Sequence, residues 1–237
     1  MRLARNLWVA AVFALPAVAH AQIQAREWIV TPRGGMLRYA REASIKNAPF
    51  AGVDAAYYVA PMFAIGTSLA VGRSNTRGED FIAALNFGTA TDGDTTLYFG
   101  VTQPVTILDA AVNGTLRTTI SRFSPFFTGG VGVYTLYLNP QVSKSARRHS
   151  AMSMNIGGGV DLNVGKGAGI QLAIRDLILT RYARKFLNPT DPRFVEFRFP
   201  EDLVPPPAEK STLHNLQFSV GFSFRPAATG ANTGVDQ

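Results

Sequence analysis

"NLQFSVGFSF" (residues 215–224) is the stretch on which the reading of this chain turns. Leu216, Phe218, Val220, Phe222 and Phe224 share one parity, and Asn215, Gln217, Ser219, Gly221 and Ser223 share the other. A period of two marks a β-strand with one apolar and one polar face. The apolar face of a soluble sandwich turns inward, whereas that of an outer-membrane barrel turns outward to lipid. The chain must therefore be read for its solvent.

The alternation recurs along most of the sequence. Phe63, Ile65, Leu69 and Val71 oppose Ala64, Gly66, Ser68 and Gly72; Met152, Met154, Ile156, Val160, Leu162 and Val164 oppose Ser153, Asn155, Gly157, Gly159, Asp161 and Asn163. Over 105–120, Leu108, Ala110, Val112, Leu116 and Ile120 oppose Asp109, Asn113, Thr115, Arg117 and Thr119. Residues 28–39 and 50–59 alternate only in part, and 170–181 reads as a change of phase near Arg175-Asp176. The pattern predicts eight strands, at about 27–39, 50–60, 62–74, 104–120, 125–138, 151–164, 168–181 and 212–224. The stretches "DFIAALNF" and "TTLYFGV" in the connection 75–103 offer two further strands, which would make a barrel of ten.

The connections alternate strictly between long and short. They run 40–49, Ala60-Pro61, 75–103, "SRFS" (121–124), 139–150, "GKG" (165–167) and 182–211. An antiparallel up-and-down transmembrane barrel, with long loops on one side of a membrane and tight turns on the other, produces that order. A Greek-key sandwich does not sort its loops by length. Both chain ends then fall on the turn side, in the periplasm.

Composition agrees. Charged residues make up 16% of the chain, below the roughly 25% of soluble domains. The absence of cysteine excludes a disulfide framework, a thiol nucleophile and a Cys-based zinc site. Arg2 and Arg5, the apolar run from Leu7 to Val18, and Ala19-His20-Ala21 follow the order of a cleaved secretory signal. Cleavage after Ala21 makes 1–21 the signal and leaves a barrel over 22–224 and a short, disordered tail over 225–237. The formal charge of +7 falls to +5 with Arg2 and Arg5 gone, which argues against nucleic acid as a partner.

"SPFFTGGVGVYTLYL" (124–138), "NIGGGVDLNVGKGAGIQLAIRDLI" (155–178) and "HNLQFSVGFSF" (214–224) resemble the OmpA-like outer-membrane β-barrel domain family. Pro125, Phe126, Gly130, Gly132, Gly157, Gly159, Arg175 and Asp176 match the family's order of motifs. The resemblance implies an outer-membrane location in a Gram-negative-type envelope. It also implies a terminal aromatic signal for the barrel-assembly machinery, which here falls to Phe218, Gly221, Phe222 and Phe224. It implies no single activity. The chain departs from the family in the thirteen residues that follow Phe224. No peptidoglycan-binding domain follows the barrel, so anchoring to the cell wall is not implied.

Candidate functional residues fall into three sets. Asp54, Arg73, Asp109, Arg117, Asp161 and Arg175 sit among the polar positions and are expected to form a paired plug, because eight strands leave a lumen barely wider than its own side chains. Arg175 is expected to meet Asp161, Asp109 or Asp54, and Gly66, Gly130, Gly132, Gly157 and Gly159 to leave room for arginines. In "QVSKSARRHS" (141–150), Lys144, Arg147 and Arg148 suit the phosphates of lipopolysaccharide. His149 and His214, near Ser150 and Ser211 with Glu201 and Glu209 in the last loop, are too sparse for a Ser-His site or a metal. Trp28, Tyr57, Phe127, Tyr137 and Tyr182 suit interfacial girdles. The sequence thus predicts a monomeric barrel without cofactor or catalytic residues, in contact with outer-membrane lipid and lipopolysaccharide. A structural or surface-interaction role is expected of it. The rival readings are a lipid A deacylase-like enzyme, a narrow channel and a soluble periplasmic barrel for an apolar ligand.

Overall fold

A computed structural model describes residues 25–87, 95–120, 122–138, 147–165, 167–188 and 205–225. The segment read as a signal, Lys144, Glu201 and the tail beyond Arg225 lie outside the described residues.

In chain order the strands are β1 (Trp28–Arg38), β2 (Ala48–Ala60), β3 (Phe63–Asn75), β4 (Ile82–Phe87), β5 (Thr95–Gly100), β6 (Pro104–Arg117), β7 (Phe123–Leu138), β8 (Arg147–Gly165), β9 (Ala168–Leu179) and β10 (Leu213–Phe224). Eight of them close into an antiparallel barrel in the order β1-β2-β3-β6-β7-β8-β9-β10, with β10 returning to β1. The seam is in register from Val30 against Phe224 to Arg38 against Leu216. Closure removes every sheet edge, so the ladder can satisfy the backbone without water.

The alternative of ten strands is corrected here. The two stretches in 75–103 do form β4 and β5, but they pair only with each other, Ile82 with Gly100 through Phe87 with Thr95. β3 pairs directly with β6, from Phe63 against Leu116 to Asn75 against Pro104. The hairpin thus belongs to the connection between β3 and β6 and adds no strand to the barrel.

The rows of Leu, Val, Ile and Phe face outward. β10 alternates buried and exposed over all twelve residues, with Phe218, Phe222 and Phe224 42, 57 and 49% exposed. Val112, Phe123, Phe127, Val131 and Ile174 are exposed in the same way on their strands. On β7 the outward row from Phe123 to Val133 spans ten residue steps. At about 3.4 Å per residue and a tilt of roughly 40°, that covers roughly 25 Å, the height of a membrane barrel's apolar band. Above this band the outward positions turn polar: Arg38, Arg73, Thr106, Thr135, Arg148, Asp176 and His214.

β9 shows no change of phase. It pairs residue for residue with β10 from Ala168 to Leu179, and its odd positions stay buried throughout. The alternation reads as broken because Leu177 and Leu179 point into an apolar layer at the loop end of the lumen. That layer joins Tyr39, Phe50, Ile107, Tyr134, Leu136 and Leu138 of the strands and their ends to Ile45, Phe81, Tyr182 and Leu187 of the loops.

Candidate functional site

Two sets of inward side chains fill the barrel, and strand register places each. The lower set is charged. Arg33 (β1) donates from Nε to Asp54 Oδ1 (β2) at 3.0 Å and from Nη1 to Gln217 Oε1 (β10) at 2.9 Å. Arg175 (β9) reaches the same carboxylate across the lumen, pairing with both oxygens of Asp54, one of them at 3.3 Å. Nearer the turns, Arg117 Nη1 (β6) meets Asp161 Oδ2 (β8) at 2.9 Å, and Ser223 Oγ donates to the other oxygen at 2.9 Å. The Arg117 guanidinium lies over the rings of Phe126 and Tyr58, at 5.4 and 5.8 Å. Asp109 accepts from Ser153 Oγ at 2.6 Å. Between these groups Asn155 Nδ2 donates to Asn113 Oδ1 at 2.8 Å, and Asn113 Nδ2 to Ser68 Oγ at 2.9 Å.

Three arginines thus pair with two aspartates, Asp54 and Asp161, while Asp109 is held by Ser153. Pairing of this kind is what allows ions to remain in a space closed to bulk water. Both members of the Arg117–Asp161 pair are at most 4% exposed. Glycine supplies the room. A Cβ at Gly157 would fall 2.8 Å from Arg175 Cγ, and one at Gly169 would fall 2.2 Å from Asp161 Oδ1.

Asp54, Asp109, Arg117, Asp161 and Arg175, five of the six residues read from the sequence, lie on inward positions, and Arg175 takes Asp54 of its three candidate partners. Arg73 is corrected. It continues the row Phe63, Ile65, Thr67, Leu69, Val71 and is exposed on the outer face, because its parity is that of the apolar residues. Arg33 and Gln217 complete the network and were not among the sequence candidates. Arg33 shares its row with Ile29 and Leu37, which are buried in apolar clusters at the two ends of the lumen. That mixed row hid the alternation.

The upper set is the apolar layer, and the loops lock onto it. Tyr182 Oη donates to the Ala43 carbonyl at 2.6 Å, and Gln103 Nε2 to the Leu187 carbonyl at 2.8 Å. Arg41 binds both oxygens of Asp80, one of them at 2.6 Å, and Lys210 pairs with Glu42. Burial holds the hydroxyls of Tyr39 and Tyr182 well above the usual tyrosine range. The hydrogen bond from Lys210 holds Glu42 below its ordinary value. Tyr182 is consequently part of this cap, not of an aromatic girdle, whereas Trp28, Phe127 and Tyr137 do stand exposed on the outer face.

Two of the expected phosphate contacts are described. Arg148 is exposed on the outer face. Arg147 is corrected: its inward parity sends the guanidinium over Phe186 at 5.3 Å and onto the Asn188 carbonyl at 2.5 Å. The residues of the assembly signal divide, with Phe218, Phe222 and Phe224 outward and Gly221 inward.

The histidines do not converge. His149 is on an inward position with Nε2 3.3 Å from the Arg181 carbonyl, while His214 is on the outer face with Nδ1 2.7 Å from Asp176 Oδ2. The Ser150 hydroxyl is engaged with Thr135 at 2.9 Å. No group of three or more His, Asp or Glu side chains suited to a metal ion occurs among the described residues.

No protein-family model and no curated protein matches the sequence. Among solved structures the chain is similar to Neisserial surface protein A, at 6% identity and a TM-score of 0.51 over 84% of this chain and 97% of that one. It is also similar to the N-terminal β-barrel domain of OprF from Pseudomonas aeruginosa, at 14% identity and a TM-score of 0.36 over 85% of this chain and all of that one. Ail, the attachment invasion locus protein of Yersinia pestis, gives 10% identity and a TM-score of 0.43 over the same shares. The first likeness carries the fold. This chain has the fold of the small outer-membrane β-barrels. At such identities the likeness extends to fold alone.

Proposed function

We propose that this protein spans the outer membrane as a monomeric, plugged barrel whose work is structural or surface interaction, with no catalytic apparatus. One observation carries this reading: the outward rows are apolar over a band of membrane height, while Arg33, Arg117 and Arg175 lie inside and are paired with Asp54 and Asp161. A soluble barrel with that surface would aggregate, since exposed apolar patches of such extent mark a membrane or a partner. The apolar cap and the paired plug together oppose a conducting path. Export by the segment 1–21, insertion through the aromatic end of β10, and contact of Lys144 and Arg148 with lipopolysaccharide phosphates belong to this proposal.

Fractionation tests it. The protein should be recovered from outer membranes only with detergent and should run faster unboiled than boiled on a gel. Recovery as a free periplasmic protein would overturn the reading. Discrete single-channel conductance in planar bilayers would replace the plug with a channel. Loss of lipid A deacylation on replacing His214 by alanine would replace it with an enzyme.

A further inference from the structure

The outer face is not a uniform apolar cylinder. Across β8, β9, β10 and β1 lies an open groove of about 470 Å³, lined by Met36, Gly158, Val160, Leu172, Ile174 and Phe218 among others. Its cause is local. Gly158 stands in the outward row of β8 between Ile156 and Val160, and the missing side chain leaves a trough between neighbouring rows. A trough lined by hydrocarbon on a lipid-facing surface fits a hydrocarbon chain, which gains dispersion contacts along its length.

The end of the trough nearest the loops is not apolar. The outward row of β1 passes from Met36 directly to Arg38, two residues higher, or about 7 Å along the strand. Arg38 is exposed, lies opposite Leu216, and has no carboxylate partner among the described residues. The other charged or titratable groups described on this face are Arg148 at the loop end of β8, Asp176, also opposite Leu216, and His214, two residues from it. Asp176 and His214 engage each other at 2.7 Å, so this carboxylate is held by a histidine and not by Arg38. A guanidinium with no carboxylate partner among the described residues, set above a hydrocarbon trough, is complementary to a phosphate above an acyl chain, and the planar fork of arginine suits phosphate oxygens.

The opposite flank provides the contrast. A groove of about 530 Å³ across β2, β3, β6 and β7 is equally apolar, lined by Val53, Leu69, Ala110 and Val131 among others. There Val71 intervenes between Leu69 and the first cation of that row, Arg73, which stands four residues higher, or about 13 Å. Only the first flank sets its cation at the mouth of its groove.

We propose that the flank built from β8, β9, β10 and β1 is a binding site for one phosphorylated lipid of the outer leaflet, with an acyl chain along the groove and a phosphate on Arg38. The proposal rests on the membrane reading above and adds to it a defined lipid, position and stoichiometry.

The test is native mass spectrometry of the full-length protein purified from outer membranes and challenged in detergent with three probes. These are lipid A carrying both phosphates, the same lipid dephosphorylated, and phosphatidylcholine. The wild type should retain one phosphorylated lipid A and neither of the other two. Arg38→Ala should lower retention about fivefold to tenfold, the loss of a charge-assisted bond. Leu172→Trp, which fills the groove at an exposed position, should lower it similarly, and Arg73→Ala should leave it unchanged. All three positions face outward, so the heat-modifiable gel shift should persist and report folding separately. Equal loss in Arg73→Ala, undiminished retention in Leu172→Trp, or no lipid held by the wild type would overturn the site while leaving the membrane barrel standing. A lipid-free dimer abolished by Leu172→Trp would assign the groove to a second copy and overturn it too. A protein that never enters membranes would instead fail the underlying reading.

Discussion

The two ends of the lumen are built from the same inward rows and carry opposite chemistry. Toward the turns and the middle, these rows bring Arg33, Arg117 and Arg175 to Asp54 and Asp161. Toward the loops they end in Phe50, Ile107, Leu136, Leu138, Leu177 and Leu179. The difference lies in what surrounds each end. Within the band, eight strands leave space for little beyond side chains of the strands themselves, and long arginines can cross it to find carboxylates. Above the band the loops add a second layer, with Ile45, Phe81 and Leu187, and an apolar core becomes possible of the kind found in soluble domains. One end is held by pairing and the other by packing, and the two respond to different perturbations.

The sharpest way to break this comparison is Asp54→Ala. It strands two guanidiniums at once, and removing one member of a buried pair costs about 3–5 kcal/mol. The urea midpoint of the folded band in detergent should fall accordingly, whereas Arg148→Ala, at an exposed position, should change stability by less than about 0.5 kcal/mol. Replacing Arg33, Asp54 and Arg175 together by Met, Leu and Met should recover most of the loss, because no charge is then left unpaired. Equal midpoints for Asp54→Ala and Arg148→Ala would remove pairing as the organising force of the lower lumen.

The packed end is probed by Leu136→Ala. Leu136 is fully buried, and truncation should cost about 2–4 kcal/mol from lost transfer energy and the cavity left behind. A cost under about 1 kcal/mol would mean that the cap is a loose rim. Tyr182→Phe asks less of the same region. It removes the hydrogen bond to the Ala43 carbonyl and keeps the ring, so a loss of about 1 kcal/mol is expected in the same unfolding assay.

The comparison also explains what the sequence could reveal. Strand number, topology and the outward direction of the apolar rows were legible because the outer face of each strand stays apolar throughout the band, as in 215–224. The inward rows were legible only where they stay polar, as for Asp109, Arg117 and Asp161. Where a row crosses from plug to cap the alternation dissolves, which concealed Arg33 between Ile29 and Leu37 and turned Leu177 and Leu179 into an apparent change of phase. Arg73 was the opposite error, since its charge suggested the lumen while its parity already gave the outer face. The cap itself left no periodic signal. It is assembled from loop residues such as Ile45, Phe81 and Tyr182, whose neighbours lie on other loops.

The smallest expected effect separates the two ends by their response to solvent. The Lys210 hydrogen bond lowers the carboxyl of Glu42 at the outside of the cap. A carboxylate depressed in the folded state stabilises at pH above its ordinary value of 4.5 and ceases to do so as pH falls through its folded value. The difference in melting temperature between wild type and Lys210→Ala should therefore be fully present near neutral pH, shrink below about pH 4.5, and be lost as pH falls through the lowered value of Glu42. Lys210 is 60% exposed, so the difference should also shrink in about 0.5 M salt, where screening acts over only a few ångströms. The Arg117–Asp161 pair, closed off from water, should not respond to salt in this way. A Lys210→Ala effect that survives both acid and salt would show that this lysine contributes through its packed methylenes, and would make the outer surface of the cap an extension of its apolar core.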